Sequence, residues 1–141
     1  MDPVTAIGLL ASISTLISAS GEVVQLLRNF KDGEKELAGL VRQIALFEEN
    51  LKGFYRIFSS PQVIHRISTE TLTQVVDESF EELDDLKRQL LQIQKSENSA
   101  IRRMKWIQSK ANFERINDQI KGKCSMLHSL VSMIQMYAFW L

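Results

Sequence analysis

Residues 3–21 read PVTAIGLLASISTLISASG, and this stretch contains no charged side chain. Small residues alternate with large apolar ones, and the large ones are Val4, Ile7, Leu9, Leu10, Ile13, Leu16 and Ile17. Asp2 is a good N-cap, and Pro3 suits the first helical position, where its missing N–H costs nothing. The stretch therefore predicts a hydrophobic helix at the N-terminus.

The same helical pattern continues to Phe30, and Gly33 is a plausible stop. Ser20 and Gly21 form a weak point in the middle, which predicts either a bend or a division into two helices. A second helix is predicted from Glu34 to Phe58, because its apolar residues recur at three- and four-residue spacing.

The second half of the chain predicts two more helices. Residues 63–67 predict a short helical turn or a packed connector, and residues 68–71 offer capping groups for a third helix that ends at the polar segment 95–99. A fourth helix is predicted over residues 100–137, with a break near residues 121–123. No sustained two-residue alternation indicates a strand. The fold class is therefore predicted as all-α, a bundle of four to five helices with a hydrophobic N-terminal helix.

The composition is typical of one folded domain covering residues 1–141. Hydrophobic residues make up 45% of the chain and charged residues 24%, which argues against disorder. The formal net charge is zero, so no positive surplus points to nucleic acid. The single cysteine, Cys124, excludes an internal disulfide and fits a reducing compartment. Residues 137–141 are apolar without a stop signal, so we expect the natural chain to continue and the sequence to be an N-terminal domain cut from a larger protein.

The chain shows no catalytic or metal-binding pattern. His65 and His128 lie in different segments without a ligand-type neighbour, so neither indicates a metal site. Cys124 lies on an apolar stripe and is predicted to be a buried structural thiol. Asp84 and Asp85 are adjacent and point apart on a helix. We therefore predict no enzyme activity, no metal and no cofactor.

Two surroundings remain open for the N-terminal helix: the core of the bundle or a membrane. A helix that is apolar all round is typical of the centre of a bundle. The run is also about long enough to cross a bilayer, although its hydroxyl residues dilute it. A signal peptide is disfavoured because the only charge before the run, Asp2, has the wrong sign.

Charge is unevenly distributed in the second half. Residues 70–85 carry seven acidic side chains and no basic one, whereas residues 102–123 carry seven basic side chains against Glu114 and Asp118. Two neighbouring solvated helix faces would explain this pattern. Alternatively, the basic segment forms a surface for anionic lipid headgroups. The candidate headgroup contacts are Arg102, Arg103, Lys105 and Lys110.

Three segments together resemble the HeLo-like N-terminal domain of fungal NOD-like (STAND-type) receptors, with the related HeLo and SesA-type domains. They are the opening MDPVTAIGLLASISTLI, the segment ELAGLVRQIALFEENLKGF and the closing RRMKWIQSKANFERINDQIKGKCSMLHSLVSMIQ. The resemblance covers essentially the whole chain.

The resemblance implies a helical bundle that induces cell death in non-self recognition, including heterokaryon incompatibility. It implies that the N-terminal helix is released and enters the plasma membrane when several copies of the domain cluster. The residues that would insert are Val4, Ile7, Leu9, Leu10, Ile13, Leu16 and Ile17. Glu22, the first charge after the run, becomes a candidate pore or switch charge. The implied partners are anionic lipids of the plasma membrane, other copies of the chain, and a nucleotide-binding domain that follows in the same polypeptide.

The leading hypothesis is therefore a membrane-targeting, cell-death-inducing effector domain that is cytoplasmic at rest and moves to the plasma membrane when it oligomerises. The alternative is a homotypic interaction module, a bundle that dimerises through an apolar helical face and does not act on membranes.

Overall fold

A computed structural model describes the backbone of residues 3–30, 34–59, 69–96 and 98–140, and the side chains of 5–30, 37–59, 70–96 and 98–136. Within these ranges the chain forms the helices α1 (Pro3–Arg28), α2 (Glu34–Phe58), α3 (Thr69–Gln94) and α4 (Ser99–Trp140), and no strand. The predicted all-α bundle is confirmed. The predicted N-cap Asp2, the stop at Gly33 and the connector 63–67 lie outside the described residues.

Helix α1 runs unbroken through Ser20 and Gly21, so the predicted division into two helices is wrong. The Ser20 hydroxyl is buried and donates to the carbonyl of Leu16 at 2.8 Å, which satisfies it within the helix. A Cβ built on Gly21 would lie 3.6 Å from Oε1 of Glu48 on α2. This is an ordinary van der Waals distance, so Gly21 lies against α2 without being required there, and neither small residue interrupts the helix.

Helix α4 is also continuous, so the predicted break near residues 121–123 is wrong. Gly122 is exposed, with nothing within 4 Å of a Cβ built on it, and Lys123 turns inward. The 42 residues of α4 extend for about 63 Å, whereas the 26 residues of α1 extend for about 39 Å.

Each helix packs mainly against two others. Helix α1 contacts α2 and α3, and α4 contacts the same two helices, so α1 and α4 lie at opposite corners of the bundle. Three fully buried phenylalanines of α2, namely Phe47, Phe54 and Phe58, contribute to the core. Helix α1 therefore does not occupy the centre of the bundle, because one of its faces is turned to solvent.

Candidate membrane-contact face and charged seam

Helix α1 has a buried face and an exposed face, and neither carries a charge before Glu22. Leu9, Ile13 and Leu16 are buried in the core, and Leu10 and Ile17 are partly buried against it. The exposed face, which we call the outer face of α1, carries Ile7, Gly8, Ala11, Ser14, Thr15 and Ser18. Ile7 is 68% exposed. The side chain of Val4 lies outside the described residues.

The structure therefore divides the residues that were predicted to insert into a membrane. Ile7 is accessible in the folded domain, whereas Leu9, Ile13 and Leu16 hold the bundle together. Burying a side chain of this size contributes about 1.5–3 kcal/mol. Among the described side chains of α1, six large apolar ones are buried: Leu9, Ile13, Leu16, Val23, Val24 and Leu27. Withdrawing α1 would therefore cost roughly 9–18 kcal/mol, about as much as unfolding a domain.

By length and composition, residues Thr5–Arg28 could cross a membrane, and this is the one such helix in the described part of the chain. In its most apolar window, 33% is buried inside the bundle. The core helix of a soluble protein or a signal sequence would pass the same test. The length and composition of this helix therefore do not decide between the core of the bundle and a membrane.

Glu22, the candidate switch charge, lies at the end of the uncharged run and is exposed. Its Oε2 lies 3.3 Å from Nζ of Lys87 on α3, and both side chains are about half exposed. An exposed pair of this kind contributes about 0–1 kcal/mol, because water and salt screen it. The pair joins α1 to α3 but is too weak to hold the helix in place.

The candidate headgroup residues lie at the other end of the bundle from Ile7. Within the segment Arg102–Lys110, the ring of Trp106 packs against Phe30, with 5.6 Å between the ring centroids. Phe30 follows the C-terminal end of α1, and from Ile7 to Leu27 that helix rises by about 30 Å. Arg103 and Lys110 are exposed, whereas Arg102 and Lys105 are half-buried. The outer face of α1 and the basic segment therefore do not form one continuous membrane surface.

The acidic and basic segments meet in a seam between α3 and α4. Lys123 is only 8% exposed, and its Nζ lies 2.6 Å from Oε1 of Glu82 and 3.7 Å from Oε2 of Glu78. Nearer the start of α4, Arg115 lies 3.7 Å from Asp85. Part of the charge segregation is thus a structural contact between neighbouring helices, as one of the two interpretations predicted.

The sequence reasoning did not single out Lys123. A signal was present, because Lys123 precedes the buried Cys124 and falls between the buried Ile120 and Leu127. At helical spacing these positions share one face. A lysine on that face predicts a buried partner, which here is Glu82.

Cys124 is buried between α2 and α4, as predicted. Burial raises the pKa of its thiol, and a hydrogen bond from Gln43 opposes that shift. The Gln43 Nε2 donates to the sulfur at 3.3 Å. A neutral, enclosed thiol is a poor nucleophile, which fits a structural role.

We expect iodoacetamide to alkylate Cys124 in the folded domain at least ~10-fold more slowly than in urea, because the thiolate is disfavoured and access is blocked. Since the pKa is raised by folding, the native thiol keeps its proton after the unfolded thiol has lost it. The free energy of unfolding should therefore fall as pH rises through that window. Equal alkylation rates in buffer and in urea would show that Cys124 is not enclosed between α2 and α4.

The other residues considered for chemistry do not come together. His128 is exposed, and His65 lies outside the described residues. Asp84 and Asp85 both pair with Arg88, and Asp85 also pairs with Arg115, so both carboxylates are engaged in ion pairs on the surface of the bundle. Among the described residues, no group of three or more His, Cys, Asp or Glu side chains could hold a metal ion.

No protein-family model, curated protein or solved structure matches the chain. The resemblance to HeLo-like domains therefore stays a prediction from the quoted segments. The fold and the division of α1 into two faces rest on the structure itself.

Proposed function

We propose that this domain is a membrane-acting effector in which the outer face of α1 makes the first contact with lipid. The observation that supports this proposal is the uncharged run of residues 3–21, folded as a helix that leaves Ile7 68% exposed at a corner of the bundle. A helix end of this composition can enter the headgroup boundary without burying a charge.

Full insertion of α1 would require the bundle to open. The buried side chains of α1 would gain similar surroundings in lipid, but the core faces of α2 and α3 would lose their cover. Phe47 and Leu51 on α2 are buried, as is Leu83 on α3. Clustering of several copies could cover these faces again. This requirement keeps a single copy inactive and makes activation depend on oligomerisation.

In line with the HeLo-like resemblance, we extend the proposal to induction of cell death by a fungal NOD-like receptor. The domain would be cytoplasmic at rest and would act at the plasma membrane. A nucleotide-binding domain that follows in the same polypeptide would control the clustering. These parts rest on the quoted sequence segments alone.

The proposal is tested by dye release from anionic vesicles, with the domain crowded on their surface through a C-terminal tag and a chelating lipid. We expect release by the parent protein and at least ~10-fold slower release by Ile7→Glu, because the added charge must be dehydrated on entry. Leu46→Glu is the matched control, since Leu46 is 52% exposed on α2. Equal release by the parent, Ile7→Glu and Leu46→Glu would contradict contact through α1.

A second candidate function is dimerisation without membrane activity. It is favoured by a row of exposed apolar residues along α4, which includes Ile101, Met104, Met126 and Met133. These residues form two groups, because Arg115 and Gln119 are exposed between Met104 and Met126. Exposed apolar surface is typical of protein–protein contacts. A stable dimer that leaves every vesicle intact would favour this candidate.

A further inference from the structure

The chain contains a second uncharged run, in the last part of α4. Residues 124–141 read CSMLHSLVSMIQMYAFWL and include no Lys, Arg, Asp or Glu. The run closes with Tyr137, Phe139 and Trp140, and Tyr and Trp are enriched where a membrane meets water. Because α4 continues to Trp140, its uncharged part is about 25 Å long. It was not considered when the uncharged run of α1 was assigned to lipid.

This part of α4 lies at the same end of the bundle as the start of α1. Leu40 on α2 shares a groove with Phe113 on α4. Further along both helices, Gln43 donates to the sulfur of Cys124. Helices α2 and α4 therefore run in the same direction. Helix α1 contacts α2 and is joined to it by the short segment 29–33, so these two helices are antiparallel.

Ion pairs between the helices show that the two uncharged ends reach the same level along the bundle. Glu22 pairs with Lys87, which places Ile7 level with the first turn of α3. The ion pairs of Lys123 with α3 place Met133 at that level too, because α3 and α4 run in opposite directions. Beyond Met133, α4 continues for about 10 Å.

The exposed side of this part of α4 resembles the outer face of α1 in composition. We call it the end face of α4, and it comprises Gly122, Ser125, Ser129, Met133 and Met136, all exposed and at helical spacing. Met133 is 55% exposed and Met136 is 63% exposed. Like the outer face of α1, it combines small and hydroxyl residues with large apolar side chains near the tip of the bundle.

Hydroxyl groups on both faces are hydrogen-bonded within their own helices. The Ser125 Oγ donates to the carbonyl of Lys121 at 3.3 Å. On α1, the Thr15 Oγ1 donates to the carbonyl of Ala11 at 3.0 Å. Such local bonds reduce the cost of moving a hydroxyl into lipid, where no water would satisfy it.

Charge distinguishes these two faces from the rest of the same end. Lys52 and Arg56 are exposed on α2, and Glu70 and Asp77 are exposed on α3. The part of α4 beyond Met133 extends past the first turn of α3, so it can enter a membrane while these charges stay in water. Its length of about 10 Å matches the depth of about 5–10 Å to which helices enter the membrane interface.

We infer that the end face of α4 is a second lipid-contact site, which enters the boundary between headgroups and acyl chains at the same end of the bundle as Ile7. The inference rests on the proposed function in one respect, since both faces would meet the same bilayer. It does not require α1 to leave the bundle. Because the site is apolar, we expect the partition coefficient to change less than ~3-fold between ~50 and ~300 mM NaCl. A larger loss would assign the contact to charged residues and overturn the inference.

Flotation of the untagged domain with vesicles of phosphatidylcholine and phosphatidylserine tests the site. Met133→Glu should weaken partition at least ~10-fold, because the carboxylate must be dehydrated on entry. Met133→Leu keeps an apolar side chain and should partition like the parent. Met104→Glu is the matched control, since Met104 is 54% exposed on the same helix but at the other end of the bundle. It should partition within ~2-fold of the parent, and circular dichroism checks that every variant is folded.

Equal partition of Met133→Glu and Met104→Glu, or a parent that does not float with the vesicles, would overturn the second site. A parent dimer that forms without lipid and is dissociated by Met133→Glu would also overturn it, since a second copy would then cover the end face. Ile7→Glu in the same assay separates this site from α1. A loss with Met133→Glu but not with Ile7→Glu would contradict only contact through α1, and the reverse result would contradict only the second site.

Discussion

Replacing Ile13 by glutamate is expected to unfold the domain, whereas the same replacement at Ile7 should change the free energy of unfolding by no more than about 0.5 kcal/mol. Ile13 is fully buried in the core, and Ile7 is 68% exposed. Both residues belong to the uncharged run of α1. The difference therefore depends only on the face of the helix that each side chain occupies.

The magnitude at Ile13 follows from two losses. Burial of the isoleucine side chain contributes about 1.5–3 kcal/mol, and a carboxylate without a partner costs several kcal/mol more. We expect a total above about 4 kcal/mol, which is a large part of the stability of a domain of this size. Urea unfolding followed by circular dichroism measures it. Similar midpoints for Ile13→Glu and Ile7→Glu would mean that α1 does not pack as described. Because Ile13→Glu disrupts the fold, membrane contact has to be tested at Ile7.

The second large effect is expected at the seam between α3 and α4. Lys123→Ala should lower the free energy of unfolding by about 3–5 kcal/mol, because it leaves the carboxylate of Glu82 buried without its cation. The side chain of Glu82 is only 11% exposed, and its Oε2 already lacks a hydrogen-bond partner among the described residues. Thermal and urea unfolding should report the same loss.

The double variant Lys123→Met/Glu82→Met separates the cost of an orphaned charge from the value of the pair. Replacing a buried ion pair by apolar residues of similar size is often neutral or stabilising. We therefore expect the double variant to regain most of the stability that Lys123→Ala loses. If it is as unstable as Lys123→Ala, the ion pair itself stabilises the bundle, and our account of the seam is wrong.

The helices and much of the core could be predicted from the sequence, because three- and four-residue spacing is a local signal. In α2 this signal places Phe47, Leu51 and Phe54 on one face, and all three are buried. The continuity of α4 through Gly122 could not be predicted in this way. One glycine weakens a helix by about 1 kcal/mol, and packing of the flanking turns outweighs that cost.

The candidate site was less predictable than the fold. Residues 3–21 of α1 carry no charge on any side, so the charge pattern does not show which face is buried. Packing against α2 and α3 decides that Ile13 lies inside and Ile7 outside. The separation of Ile7 from the basic segment also depends on tertiary structure, since only the contact of Phe30 with Trp106 places that segment at the far end of α1.

The central claim, that the outer face of α1 meets lipid when copies cluster, is tested most directly by an environment-sensitive fluorophore at position 14. Ser14 is exposed on that face, and Ser14→Cys in a Cys124→Ala background gives a single labelling site. Leu46→Cys in the same background is the control. On crowded anionic vesicles we expect a blue shift and quenching by lipid-attached quenchers at position 14, with little change at position 46. Emission at position 14 that stays as in water, at every density of copies on the vesicle, would contradict the claim.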